Sequence, residues 1–273
     1  MNIWDCHIHC RGDEQADDVL RAMDAAGVTR ITAFSAYPGS HHEAGPPPPL
    51  ADFRENMLKV AALQRAAPDR IWGVFWPDPR QEGVLDVIEE ALVEHELHGL
   101  KMIPNHWAAC DDFMLPLYET MQQLAKPIQF HSGILYAFGD SSRFCRPVLY
   151  ETLINYPGLK FALAHIGWPW TDECLAVYGH SRSLAHARGD NSGMWIDTCR
   201  GTPDAWREDA LRKAVIFAGC NRLMYGTDTY PGGIAGSTPV HVRKDLDLLR
   251  NEIGVSEQQL EDFFWNAAEA FYS

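Results

Sequence analysis

The chain has 273 residues, 46% hydrophobic and 22% charged, which is enough to build a full core in an ordinary globular protein. Its formal net charge of −14 argues against a nucleic-acid partner, because a phosphate backbone is bound by basic surfaces. No apolar run approaches the roughly 18 residues of a membrane span, and no signal-peptide pattern opens the sequence. We therefore expect a cytoplasmic protein that has no membrane partner.

Seven cysteines are scattered along the chain without any C-x-x-C pair. An odd, irregularly spaced set argues against a disulfide framework or a zinc ribbon and favours reduced thiols in a cytoplasm. Cys6 and Cys10 flank two histidines, but Cys6 alternates to the strand face opposite His7, so we expect it in the core.

Apolar segments and stretches with helical periodicity alternate along the chain. The predicted strands cover residues 2–9, 29–36, 70–76, 98–104, 127–132, 159–166, 193–199 and 222–228. The first connection is predicted to be a helix that is capped by Asp13 and ended by Gly27. The other predicted helices lie near residues 52–66, 81–96, 112–125, 146–156, 172–188 and 203–219, with two closing helices near 240–252 and 256–271.

Strands that alternate with helices form parallel βαβ units, and eight such units fit a (β/α)₈, or TIM, barrel. We predict a single barrel domain over residues 1–273, with closing C-terminal helices. The rival fold is a doubly wound open sheet, which carries a Gly-rich phosphate turn after its first strand. Residues 10–13 stand at that place and lack this pattern. Residues 41–49 are expected to form a semi-rigid loop at the barrel mouth, with His41 and His42 solvated.

Four polar side chains stand at the ends of predicted strands, where TIM barrels carry their active sites. His7 and His9 occupy alternate positions of the first strand and therefore share one face, so they can hold one cation together. His131 and Asp228 follow the fifth and eighth strands. Three imidazoles and a carboxylate suit Zn²⁺ or a similar divalent ion and leave room for a bound water.

These residues resemble the amidohydrolase superfamily, and within it the amidohydrolase-2 branch of metal-dependent hydrolases and decarboxylases. The resemblance rests on the run Asp5 to His9, on His131, on His165 within Leu163 to Gly167, on Asp228, and on Phe264 to Glu269 near the end. It implies His7, His9, His131 and Asp228 as metal ligands. It also implies His165 near the metal as a polarising or acid/base group. Chemistry separately suits Asp228, beside a metal-bound water, to accept the proton of that water. Imidazole has a pKa suited to such work, and a metal lowers the pKa of bound water.

Lys101, at the end of the fourth predicted strand, leaves the number of metal ions open. In the dinuclear branch of the superfamily a carbamylated lysine there bridges two metals. We expect one divalent ion, Zn²⁺ first and Mn²⁺ or another ion as alternatives, and a second ion is not excluded. An unmodified Lys101 can instead bind a substrate anion.

The loops at the barrel mouth suggest a small, carboxylate-bearing substrate. Arg143, Arg146 and Arg200 are candidate carboxylate clamps, because guanidinium groups bind carboxylates bidentately, although each can also form a structural ion pair. Trp168, Trp170 and Tyr230 are candidate substrate contacts on the same rim.

The expected activity is metal-dependent hydrolysis of a small organic acid, lactone, ester or amide. One alternative is a lyase that uses the same ligands to decarboxylate an aromatic or unsaturated acid or to hydrate a double bond; the shortness of the chain leans against it. The other alternative is a non-catalytic, metal-stabilised binding module. The sequence leaves open whether the chain forms a homo-oligomer.

Overall fold

A computed structural model describes residues 1–43, 45–190 and 192–273. Within this part of the chain there are eight β-strands, each preceding a helical connection, as the sequence predicts. They are β1 Trp4–His9, β2 Arg30–Phe34, β3 Ile71–Val74, β4 Leu100–Met102, β5 Ile128–Phe130, β6 Lys160–Leu163, β7 Gly193–Asp197 and β8 Leu223–Met224.

The connections are mostly α-helical. The α-helices are α1 Ala16–Ala26, α2 Leu50–Ala66, α3 Val84–Glu89, α4 Leu115–Gln123, α5 Ser141–Phe144, α6 Thr171–Arg188, α7 Asp204–Ala218, α8 Ile234–Asp247, α9 Glu257–Glu261 and α10 Ala267–Tyr272. A 3₁₀ helix, Pro147–Asn155, stands where a helix over 146–156 is predicted, and π-helical turns extend α3, α8 and α9. No helix in the described ranges is long and apolar enough to cross a membrane.

The strands form a ring of parallel neighbours. Strands β1 to β3 make one sheet in sequential order, and β4 to β8 make a second one. An isolated parallel bridge between Phe75 and Leu100 joins β3 to β4, and a second bridge, between Ile8 and Thr229, joins β1 to the chain beyond β8. These two bridges close the ring and give the predicted (β/α)₈ barrel, with the carboxyl ends of all strands on one face.

Two apolar layers hold the ring in place. Side chains between the strands and the surrounding helices form the larger cluster, which includes Phe53, Tyr118 and Phe263. A smaller cluster at the other end of the barrel from the histidines packs Trp4 and Met224 against α10. The closing C-terminal helices are therefore part of the barrel core.

The first helix ends as predicted but begins differently. Gly27 takes the left-handed conformation, with φ of 68°, that ends α1. The prediction that Asp13 caps this helix is wrong, because α1 begins at Ala16 and its first turn has no side-chain cap. The neighbouring Glu14 carboxylate instead accepts hydrogen bonds from the backbone N–H groups of Arg11 and Gly12, at 2.6 and 2.9 Å.

A buried ion pair on the outer side of the barrel supports the end of β7. The Arg207 guanidinium donates to both carboxylate oxygens of Asp245, at 2.7 and 2.6 Å, and to the carbonyl oxygen of Thr198, at 2.8 Å. Both charged side chains are almost fully buried. Arg207 thereby links α7 and α8 to the loop that leaves β7.

Replacing Arg207 with Leu should destabilise the fold strongly, because the buried Asp245 carboxylate loses its bidentate partner. The free energy of unfolding should fall by about 3 kcal/mol. Urea unfolding measures it. Arg212→Ala, which breaks a solvent-exposed pair with Glu208, is the matched control and should cost no more than about 1 kcal/mol. Equal losses in the two variants would contradict the structural role assigned to Arg207.

Candidate active site

A cavity of about 670 Å³ opens at the carboxyl ends of the strands. Six of the residues singled out by the sequence line it together with Tyr230; these six are His7, His9, Lys101, His131, His165 and Asp228. The structure therefore brings together in one cavity the side chains that the sequence places at the strand ends.

Asp197, at the end of β7, fixes the orientation of His7. The Asp197 carboxylate lies 2.5 Å from His7 Nδ1, and it also accepts a hydrogen bond of 2.7 Å from the Gln129 amide. Tyr272 donates to the other end of that amide from the last helix. Burial opposes ionisation, but the facing His7 holds the pKa of Asp197 at about 2. An ionised acceptor on Nδ1 leaves His7 Nε2 directed at the cavity.

His7, His9 and Asp228 converge on one point. Asp228 Oδ1 lies 3.3 Å from His7 Nε2 and 3.2 Å from His9 Nε2, and the two nitrogens are 3.1 Å apart. Asp228 has a left-handed backbone, with φ of 56°, and its N–H donates to the His7 carbonyl at 3.1 Å. Burial raises its pKa, but the facing imidazoles of His7 and His9 outweigh this and hold the pKa well below the ordinary value, so Asp228 is a carboxylate.

His131 and His165 face this group from β5 and β6. His165 Nε2 lies 3.1 Å from His131 Nδ1. His131 Nε2 is buried and has no hydrogen-bond partner within the described residues. Burial lowers the pKa of His165 to about 4 and that of His131 well below its ordinary value. Both rings are therefore neutral near neutral pH.

Lys101 lies inside the barrel and is fully buried. Its Nζ is 3.2 Å from His7 Nε2 and 4.9 Å from the centre of the Phe34 ring. Burial lowers the pKa of Lys101, although the Asp197 and Asp228 carboxylates partly oppose this. The side chain thus stands beside the converging ligands rather than at the rim.

The donor set fits a divalent cation. The ligand atoms of His7, His9 and Asp228 lie within 4.8 Å of one another, which is the spacing of a shared ion. His131 is not in this tight group, but its ring is incompletely satisfied by protein groups, as expected of a buried ligand. Neutral imidazoles with a carboxylate are borderline donors that suit Zn²⁺ and similar ions. Lys101 Nζ borders the same position.

The structure places the predicted arginine clamps outside the cavity. Arg146 Nη2 pairs with Glu173 at 2.5 Å, and Arg200 pairs with Asp204 and Asp245 at 3.0 and 3.1 Å. Arg143 is exposed and stacks on the neighbouring Phe144. Arg146 and Arg200 thus form the structural ion pairs that the sequence leaves open, whereas Arg143 stacks on a ring outside the cavity.

Trp168 and Trp170 also lie outside, in a separate surface groove that they share with Trp206. The physical reason is the turn just before them. His165 and Ile166 both have left-handed backbones, with φ of 61° and 52°, and this turn directs the following chain away from the cavity. Tyr230, the remaining candidate, does line the cavity. His41 and His42, expected to be solvated, are half-buried and also line it.

Four contributors were missed by the sequence reasoning. Asp197, Cys199 and Gln129 contact the histidines from inside the barrel, and Arg11 lines the cavity mouth. Arg11 lies over the Tyr230 ring at 4.5 Å, and its guanidinium makes no ion pair within the described residues. Local sequence patterns did not mark Arg11, because it stands two residues after His9 and already lies beyond the end of β1.

Comparison with known proteins agrees with this picture. The family model described as amidohydrolase matches residues 4–273, and the chain belongs to this family of enzymes. No curated protein sequence matches the chain significantly.

Solved structures show the same fold at low sequence identity. An uncharacterised TIM-barrel protein from Bordetella bronchiseptica is 16% identical, covers 99% of this chain and 98% of its own, and has a TM-score of 0.70. A dihydroxybenzoic acid decarboxylase from Polaromonas, solved with manganese and 2-nitroresorcinol, is 17% identical, with 99% and 96% covered and a TM-score of 0.68. A probable 2-pyrone-4,6-dicarboxylic acid hydrolase from Acinetobacter baumannii, with citric acid bound, is 11% identical, with 100% and 99% covered and a TM-score of 0.63.

Replacing Asp197 with Asn should weaken metal binding by about 10- to 100-fold, because the charged acceptor that orients His7 is lost. Titration of the purified protein with Zn²⁺ against a competing chelator measures the affinity. Asp172→Asn, which changes an exposed carboxylate, is the control and should bind zinc as the parent does. An unchanged affinity in Asp197→Asn would remove Asp197 from the metal site.

Proposed function

We propose that the protein is a metal-dependent hydrolase that cleaves a C–O or C–N bond in a small carboxylate-bearing lactone, ester or amide. The observation that carries this proposal is that the Asp228 carboxylate and the His165 imidazole line one cavity, with Asp228 Oδ1 3.3 and 3.2 Å from the Nε2 atoms of His7 and His9. A base and a hydrogen-bond donor on either side of one bound carbonyl are what hydrolysis requires.

His7, His9, His131 and Asp228 would hold one divalent ion, with Zn²⁺ first and Mn²⁺ as the alternative. The manganese in the Polaromonas decarboxylase structure supports a metal in this fold. When bound, the ion supplies a Lewis acid that polarises a carbonyl group and makes water more acidic. If a second ion binds, Lys101 is the candidate ligand for it.

Asp228 is suited to accept a proton from water. Its side chain is 30% exposed toward the cavity, so a water molecule reaches it. Since the carboxylate is held ionised, it takes the proton as the water oxygen attacks the substrate carbonyl. It can then return this proton to the oxygen or nitrogen that leaves, which balances the reaction.

His165 is suited to stabilise the oxyanion that develops on the carbonyl. Because its ring is neutral, it acts as a hydrogen-bond donor and keeps its proton, since a neutral imidazole is a very weak acid. Donors fixed before reaction stabilise a developing charge without reorganisation. Of the two roles that the sequence suggests for His165, we therefore favour polarisation over proton donation.

Arg11 is the residue that we propose to bind the substrate carboxylate. It has a guanidinium at the cavity mouth that is held over Tyr230 and makes no ion pair within the described residues. The aromatic rings of Tyr37, His41 and Trp76 pack against one another on the wall of the same cavity. A charged anchor beside an aromatic wall fits a small, planar, carboxylate-bearing molecule.

Elemental analysis of the purified protein tests the centre directly. We expect about one equivalent of a transition metal per chain, lost in His7→Ala and in Asp228→Ala. His165→Ala should keep the metal and lower kcat by about 10²- to 10³-fold on a responsive lactone, because it removes an oxyanion donor. Two equivalents of metal in the parent would assign Lys101 and His165 to a second ion, and a metal-free, active protein would reject the proposal.

Arg11→Gln should raise KM for carboxylate-bearing substrates by at least about tenfold, because a charged hydrogen bond is worth roughly 1.5–3 kcal/mol. The corresponding uncharged esters should be hydrolysed by the two proteins alike. Arg65→Gln, on the exposed side of α2, is the control. A KM that does not change would leave the substrate anchor elsewhere.

Decarboxylation is the second candidate. Two proteins of similar fold support it, the Polaromonas decarboxylase and a 5-carboxyvanillate decarboxylase from Sphingomonas paucimobilis. The same aromatic wall and Arg11 would fit a benzoate-type acid. Release of CO₂ from a panel of hydroxybenzoates, without hydrolysis of lactones, would favour this reading over the first.

A further inference from the structure

The short segment from Asp197 to Gly201, at the end of β7, touches two of the site histidines at once. Asp197 contacts His7 Nδ1 at 2.5 Å. The backbone N–H of Gly201 donates to His165 Nδ1 at 3.1 Å, and Cys199 Sγ lies 3.1 Å from the same nitrogen. One stretch of chain therefore determines whether each Nδ1 donates or accepts a hydrogen bond.

The two contacts have opposite chemical consequences. A backbone N–H can only donate, so His165 Nδ1 must present its lone pair, and the single proton of the neutral ring sits on Nε2. A carboxylate can only accept, so His7 Nδ1 carries the proton, and Nε2 presents its lone pair to the cavity.

Cys199 is consistent with both assignments. Burial and the neighbouring Asp197 raise the pKa of Cys199 well above its ordinary value, so it is a thiol. Its one proton can go to Asp197 Oδ2, at 3.3 Å, or to His165 Nδ1. Both groups are acceptors, so neither choice disturbs the tautomer of either histidine.

We propose that residues 197–201 form a positioning segment that sets opposite tautomers on His7 and His165. His7 thereby presents its Nε2 lone pair to the metal position. His165 presents its Nε2–H to the cavity, where it faces His131 Nδ1 at 3.1 Å and, in the proposed reaction, the substrate carbonyl. This inference rests on the proposed function for the role of that N–H. Gly201 is its central positioning residue, and it implies a site for one ion, because a protonated Nε2 cannot coordinate a second one.

The packing around His165 explains why a glycine stands at position 201. A Cβ atom at Gly201 would lie 2.2 Å from His165 Nδ1 and 2.3 Å from its Cγ, so a side chain there must displace the ring. The Thr202 hydroxyl donates a hydrogen bond of 2.6 Å to the backbone carbonyl oxygen of His165. His165 is thus held at its backbone by Thr202 and at its ring edge by Gly201.

The test is the tautomer of His165, read from long-range ¹H–¹⁵N correlations of ¹⁵N-histidine-labelled protein loaded with zinc. His165→Gln assigns the signal through its disappearance. We expect a proton on Nε2 in the parent protein. In Gly201→Ala we expect this signature to be lost and kcat to fall by about 10²-fold with the metal content unchanged.

Gly236→Ala is the matched control. Gly236 lies in α8 with no heavy atom within 4 Å of an added Cβ. It should keep the parent spectrum and the parent kcat. The parent spectrum decides the assignment by itself, so a poorly folding Gly201→Ala variant does not spoil the test.

Two results would overturn the inference: a proton on Nδ1 of His165 in the parent protein, or a second zinc ion bound at His165 Nε2. Failure of the proposed function looks different. A His165 proton on Nε2 in a protein that hydrolyses no lactone, ester or amide leaves the segment as assigned and rejects only the reaction.

Discussion

The hydrogen bond between His7 Nδ1 and the Asp197 carboxylate ties the first strand to the seventh across the barrel, and the rest of the site depends on it. Gln129 from the fifth strand donates to the same carboxylate, and Tyr272 holds Gln129 from the last helix. A buried carboxylate is tolerated only where such donors surround it. The cavity-facing nitrogen of His7 is therefore oriented by residues from three other parts of the chain.

The charge balance at this centre favours a cation. Burial lowers the pKa of each surrounding histidine, whereas Asp197 and Asp228 stay ionised. Lys101 offsets at most one of these two negative charges, and burial lowers its own pKa. Binding of a divalent ion would thus relieve a surplus of negative charge beside Lys101, whose Nζ lies 3.2 Å from His7 Nε2.

Local patterns were enough to predict the barrel and the group around His7, His9 and Asp228. Two histidines at alternate positions of a strand share a face whatever the rest of the chain does. The contact between His7 and Asp197 spans 190 positions and exists only once the barrel has closed, so no local pattern announces it. The partner of Arg200, Asp245, lies 45 positions away on an outer helix. The turn that moves Trp168 out of the cavity uses left-handed conformations at non-glycine residues, which sequence patterns rarely reveal.

Two short chain extensions connect the candidate metal site to the mouth of the cavity. Arg11 stands two positions after His9, and Tyr230 stands two positions after Asp228. Arg11 lies just beyond the end of β1, and Tyr230 follows the left-handed turn at Asp228, so both side chains stand at the mouth of the cavity that His9 and Asp228 line. The stacking of Arg11 on Tyr230 at 4.5 Å then joins the two extensions above the cavity. The same two chain segments supply His9 and Asp228, which are proposed to bind the metal, and Arg11, which is proposed to bind the substrate carboxylate. Metal and anchor would therefore share one cavity of about 670 Å³, a volume that suits a small molecule.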